Sequence, residues 1–187
     1  METLLALDHL LFLWIHNLPH PLVVEWFALW LSGIGMGGLV WWLLAIILFL
    51  IIEKRDPPRL AASRREAGHW FFLPVATATA LSIFITELAL KNMFARNRPP
   101  GAMLTDYSFP SGHATFAWAL AVVLTAKEPR ARYFFFLLAF LISLSRIYLG
   151  VHYPADVAAG SIIGLSIGYF SLWVERKVIF YRIRKKK

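Results

Sequence analysis

Three short segments hold most of the residues that could do chemistry: Lys91 through Arg98-Pro99, Pro110-Ser111-Gly112-His113, and Ser145-Arg146 followed by His152 and Asp156. Together they bring the cations Lys91, Arg98 and Arg146, the imidazoles of His113 and His152, the carboxylate of Asp156, and the Ser111 hydroxyl beside Gly112. A phosphate dianion needs several donors converging on its non-bridging oxygens, and arginine offers a planar fork of them. If a helix opens at Ser111–Gly112, its first amides and its dipole add to that field. In His152-Tyr153-Pro154-Ala155-Asp156, a turn into helix lets the carboxylate hold one ring nitrogen and leaves the other as an unprotonated nucleophile. A serine triad through Ser111 or Ser145 is the competing enzymatic reading, and it leaves the cations without a purpose.

Taken singly, each residue has a plainer role. Lys91 pairs with Glu87 one helical turn earlier or snorkels, Arg98 and Arg146 anchor helix ends, and Asp156 caps a helix that Pro154 begins. What these roles leave unexplained is their joint location, which depends on the elements that carry them.

Those elements are apolar. Of 187 residues, 59% are hydrophobic and 16% charged, against about a quarter charged in soluble domains. Uncharged runs near the roughly 20 residues that cross a bilayer predict an all-α, polytopic membrane bundle of one domain, residues 1–187, with five or six transmembrane helices. Spans are expected at 33–52, 68–90, 112–126, 132–149 and 156–174, with a basic cytoplasmic tail at 175–187. Residues 1–32 contain two shorter apolar stretches parted by Pro19 and Pro21, which suit amphipathic interfacial helices, a re-entrant hairpin or a sixth span. Asp8 and His9 interrupt the first stretch and no basic residue precedes it, so it is expected to stay in the mature protein. Cysteine is absent, which removes disulfides and thiolate metal ligands.

The net charge of +8 is a topology signal rather than a nucleic-acid signal. Lysine and arginine collect at 54–65, 127–132 and 176–187, segments that alternate with the other connections and are therefore expected to be cytoplasmic. Outside them only Lys91, Arg96, Arg98 and Arg146 remain of the 19 cations. All four are expected at the outer membrane face, where such a concentration calls for an anion.

The three segments, in this order and at these internal spacings, resemble the signature of the type 2 phosphatidic acid phosphatase (PAP2) superfamily, over roughly residues 87–160. That resemblance implies a membrane enzyme that removes phosphate from a lipid, with no cofactor and no metal. It implies that His152 attacks phosphorus to give a phosphohistidine, that Asp156 orients it, and that His113 protonates the leaving oxygen. It further implies that Lys91, Arg98, Ser111, Gly112 and Arg146 bind the phosphoryl oxygens. Arg96 has no part in the signature and is expected to contact the lipid headgroup. Undecaprenyl diphosphate is the favoured substrate; phosphatidylglycerophosphate, phosphatidic acid and lipid A phosphates are the alternatives. A non-catalytic lipid-phosphate binder or transporter is the non-enzymatic reading, and the similar haloperoxidases are set aside because they are soluble. The expected setting is a bacterial-type inner membrane, with the bilayer and a lipid phosphate as the partners; oligomeric state is left open.

Overall fold

The computed structural model describes residues 2–35, 38–55 and 70–185, and these are helical or loop without strand. Among the described residues, besides a 3-10 turn at Pro129–Ala131, seven helices follow one another: α1 (Glu2–His16), α2 (Leu22–Gly35), α3 (Leu39–Arg55), α4 (Leu73–Phe94), α5 (Gly112–Lys127), α6 (Arg132–Tyr148) and α7 (Pro154–Lys185). Helix α5 is the axis. It packs against α7, α6 and α4, and more lightly against α2 and α3, while α1 leans on α6 and α7. Its alanines 114, 117, 119 and 121 are fully buried, which lets neighbouring backbones approach closely.

The large apolar side chains left outside, such as Leu22, Val23, Trp26, Phe84 and Ile162, are too numerous for a surface that faces water. Among the described residues, α4, Pro129–Tyr148 and Pro154–Tyr181 are each long and apolar enough to cross a membrane, and α2 with α3 adds a fourth if that bent pair is one span. The protein is a multi-pass membrane protein.

Several boundaries differ from expectation. The uninterrupted span at 33–52 does not form: α2 continues to Gly35 and α3 begins at Leu39, the two helices meeting at 70°. Gly38 takes φ +73°, a left-handed conformation that stops helical propagation and suits glycine. The span expected at 68–90 runs from Leu73 to Phe94, with Pro74 in its first turn and a π-helical stretch at Ile83–Leu90. The last helix does not end at Val174 but carries the basic tail to Lys185. At 16 residues α5 is short for a span; it is the most enclosed helix, and its polar first turn belongs to the site. Residues 56–69, which carry most of the first basic loop, lie outside the described residues.

Helices α5 and α7 run parallel along a stripe of glycine. A Cβ added at Gly160, Gly164 or Gly168 would strike the carbonyl oxygen of Ser111, Thr115 or Ala119 respectively. The contacts advance one turn at a time on both helices, which fixes their register.

Candidate active site

The elements deliver the predicted residues to one end of the bundle. Lys91 comes from the last turn of α4, just after the π-helical stretch. There the chain leaves the helix through Ala95 at φ 45° and loops past Arg98 and Asp106 to α5. Arg146 projects from the last turn of α6, and its carbonyl accepts the backbone N–H of Val151 and of His152 at 3.1 and 3.2 Å. Pro154 starts α7, so Asp156 falls in its first turn.

These residues line a cavity of about 490 Å³ whose wall includes Lys91, Arg98, Gly112, His113, Arg146 and His152. Lys91, Arg146 and His152 are almost fully enclosed, at 7%, 6% and 1% exposure. The three cations of the wall, Lys91, Arg98 and Arg146, outnumber its two carboxylates, Glu87 and Asp106, so the cavity favours an anion. Arg146 is braced by the hydroxyl of Ser32 from α2, while its Nε has no partner. His113 faces the cavity from α5, with Gly35 of α2 near its ring.

The His152 tautomer follows from its neighbours. Nε2 lies 3.1 Å from Nη1 of Arg98, and a guanidinium can only donate, so Nε2 is the accepting, unprotonated nitrogen. The proton therefore sits on Nδ1, which lies 3.6 Å from Oδ2 of Asp156. That is a facing contact, somewhat longer than a direct hydrogen bond, and Nδ1 has no closer partner. Burial first, and then the charges of Arg98 and Arg146, push the imidazole down to about 4 against the opposing pull of Asp156. His152 is thus neutral, with its lone pair directed at the Arg98 guanidinium on the cavity wall.

Asp156 is fully engaged. Its Oδ2 accepts the Tyr153 N–H at 2.9 Å and its Oδ1 accepts Nη1 of Arg96 at 2.6 Å. Arg96 does not line the cavity. Its second terminal nitrogen donates to Oδ2 of Asp8 at 2.6 Å, and its guanidinium lies 4.2 Å over the Tyr153 ring. Arg96, expected at the lipid headgroup, has both ends of its guanidinium occupied by carboxylates of the protein.

Ser111 also differs from expectation. Its N–H donates to the Asp156 carbonyl at 3.0 Å and so is not offered to a ligand. Its hydroxyl is buried without a partner, and the residue is absent from the cavity wall. The amides left at the α5 terminus begin with Gly112, which has no side chain because a Cβ there would run into Oε1 of Glu87.

Asp106 was not anticipated. It accepts from Lys91 Nζ at 2.6 Å and takes Arg98 in a fork, with Nη2 at 2.8 Å to Oδ1 and Nε at 3.0 Å. Although burial opposes ionisation, the hydrogen bonds and charge of Lys91 and Arg98 hold its carboxyl below the usual carboxylate range. Glu87 takes the remaining side of Lys91 at 2.7 Å, the i,i+4 pair expected of these residues.

The sequence model of the PAP2 superfamily matches residues 71–180, more than half of the chain. The chain is 43% identical over 72 residues to an undecaprenyl-diphosphatase of Sulfolobus acidocaldarius, which covers 38% of this chain and 35% of that protein. It is 40% identical over 156 residues to a lipid A 1-phosphatase of Rhizobium johnstonii, covering 74% of this chain and 62% of the other. The crystal structure of Aquifex aeolicus LpxE superposes with a TM-score of 0.64 at 32% identity, over 89% of this chain and 94% of that one. With its three motif segments gathered around one cationic cavity and its helical frame shared with these proteins, the chain belongs to the PAP2 superfamily.

Proposed function

We propose that the protein is a metal-independent lipid phosphate phosphatase that works through a phosphohistidine at His152. The observation that carries this reading is the convergence of Lys91, Arg98, Arg146, His113 and a neutral, lone-pair-bearing His152 on one cavity. A substrate phosphoryl group takes the place of Asp106 on Lys91 and Arg98, and receives further donors from Arg146 and the first amides of α5. Nε2 of His152 forms the P–N bond as the bond from phosphorus to the leaving oxygen breaks (the oxygen of a lipid phosphate in a diphosphate, of the lipid alcohol in a monophosphate), and His113 gives its proton to that oxygen. Water next attacks phosphorus, passing a proton to His113 and releasing phosphate from Nε2. The cations supply the charge stabilisation that metals supply in other phosphatases.

The favoured substrate is undecaprenyl diphosphate, supported by the undecaprenyl-diphosphatase relative. A lipid A 1-phosphate is the second reading, favoured by the longer alignment to the Rhizobium protein. The bundle crosses the bilayer five or six times with the site facing outward and the C-terminus in the cytoplasm, as the placement of the basic segments supports. Phosphate release from a panel of these lipids, compared by kcat/KM, tests the assignment, with His152→Ala as the control. Loss of all turnover in a folded variant is expected; retained turnover would refute the nucleophile. Binding of every lipid without release by the native chain would favour a binding protein.

A further inference from the structure

A buried chain of charges behind the nucleophile has no part in the phosphoryl chemistry. Asp8, in α1 and 8% exposed, accepts Nη2 of Arg96 on Oδ2 and the N–H of Ala155 at 2.8 Å on Oδ1. Arg96 in turn holds Oδ1 of Asp156, whose other oxygen faces His152. The Arg96 backbone is fixed as well: its carbonyl accepts the N–H of Ser108 at 2.8 Å, and the Ser108 hydroxyl is within 3.2 Å. Residue Asp8 lies outside the segment 71–180 that defines the family match.

We propose that Arg96 and Asp8 are positioning residues: an Asp8–Arg96–Asp156 relay fixes the carboxylate that orients His152, and so makes α1 a working part of the active site. The inference rests on the phosphohistidine reading above. Three observations support it. Asp156 is fully buried, and a buried carboxylate needs a partner to remain ionised; with the facing imidazole neutral, Arg96 is its ion-pair partner. Arg96 spans two carboxylates in one plane, clamped under the Tyr153 ring, an arrangement that lysine cannot reproduce. Asp8 also binds the second residue of α7, so it sets both the cation and the helix start on which Asp156 is mounted. Groups that orient a reacting residue from behind commonly contribute about 10- to 100-fold to activity.

The test uses the full chain purified in detergent, with a lipid phosphate substrate, and the variants Arg96→Gln, Arg96→Lys, Asp8→Asn and the pair Asp8→Asn/Arg96→Gln. We expect kcat to fall about 10- to 100-fold in Arg96→Gln while KM stays within about threefold, because the cavity ligands are untouched. Arg96→Lys recovers part of the loss. The double variant is no worse than Arg96→Gln alone, as a serial relay requires. The charged or titratable groups around His152 are Arg98 from the loop after α4, His113 from α5, Arg146 from α6 and Asp156 from α7, with Asp8 of α1 acting through Arg96. Removing Arg96 leaves the Asp156 charge less neutralised, so the acid limb of kcat/KM should move upward by about one pH unit. A merely structural tie would not move that limb.

Unchanged kcat in both Arg96→Gln and Asp8→Asn would overturn the relay. So would altered KM or substrate ranking with kcat retained, which would return Arg96 to the headgroup. If Arg96→Gln fails to fold, Arg96→Lys and Asp8→Asn decide, and an unmoved acid limb in both overturns the proposal. His152→Ala separates the two levels: activity in that variant removes the phosphohistidine reading, whereas an inactive His152→Ala beside fully active relay variants removes the relay alone.

Discussion

Asp106 sits where a substrate phosphoryl group is proposed to bind, so neutralising it should tighten anion binding. In Asp106→Asn the amide keeps the shape but loses the charge that pairs with Lys91 at 2.6 Å and with Arg98 at 2.8 Å. The Asp106 side chain is 47% exposed while its partners are 8% and 7% exposed, so each pair is discounted for solvent to about 0.5–1 kcal/mol. An incoming anion no longer displaces these pairs, and the gain is about 1–2 kcal/mol, or about 5- to 30-fold in affinity. The assay is inhibition of lipid phosphate turnover by orthovanadate and by inorganic phosphate at fixed ionic strength, native chain against variant. Both inhibition constants should fall. The sign of the pH effect provides a control: the Asp106 carboxyl is held below its ordinary range, so it stays ionised from pH 7 down past pH 5, and mild acidification of the native chain should not reproduce the variant. Equal or weaker inhibition in Asp106→Asn would show that Asp106 organises the two cations rather than occupying their site.

His113→Ala should slow turnover of a lipid monophosphate, whose leaving group is an alkoxide, by about 10²- to 10⁴-fold yet spare an aryl phosphate whose leaving group needs no proton; equal losses on both substrates would remove the general-acid role. His152, neutral and held at about 4, protonates only as pH falls through that value. The native kcat/KM, corrected for substrate ionisation by phosphorus NMR, should therefore hold from pH 7 to about 5 and drop below about 4, whereas a decline centred near 6.5 would contradict the enclosure of the ring. Gly164→Val drives a side chain into the Thr115 carbonyl and the Trp118 Cβ and should destabilise the fold by about 1–3 kcal/mol or more, read as a lower thermal midpoint in detergent; an unchanged midpoint would mean that α5 and α7 can separate there.

The motif residues were legible because their chemistry is local: residue type and short-range spacing identify Lys91, Arg98, His113, Arg146, His152 and Asp156, and the structure brings these six to one end of the bundle. Asp8 could not be read this way. It is 88 residues from Arg96 and 147 from Ala155, and an acid interrupting an apolar stretch reads equally well as the polar face of an interfacial helix. Asp106 lies in the loop between α4 and α5, where no periodicity says which way a side chain points, and a carboxylate beside anion-binding cations reads as a liability until the contacts are seen. The Ser111 amide was misjudged for a related reason. A helix start predicts free N–H groups, but only the tertiary approach of Asp156 shows that this one is taken. The break between α2 and α3 was missed, because an uncharged run over 34–52 reads as one span and the left-handed φ of Gly38 shows only in the folded chain.

The glycine stripe between α5 and α7 works as a vernier. Because Gly160, Gly164 and Gly168 meet successive carbonyls of α5, the two helices can slide only by whole turns, each about 5.4 Å. Asp156 in the first turn of α7 and the first turn of α5 therefore share one origin of measurement. Their register is set by a close-packed glycine seam that runs down toward the opposite end of the bundle, and a lipid environment that changes thickness or tilt can move the two helices together without altering it.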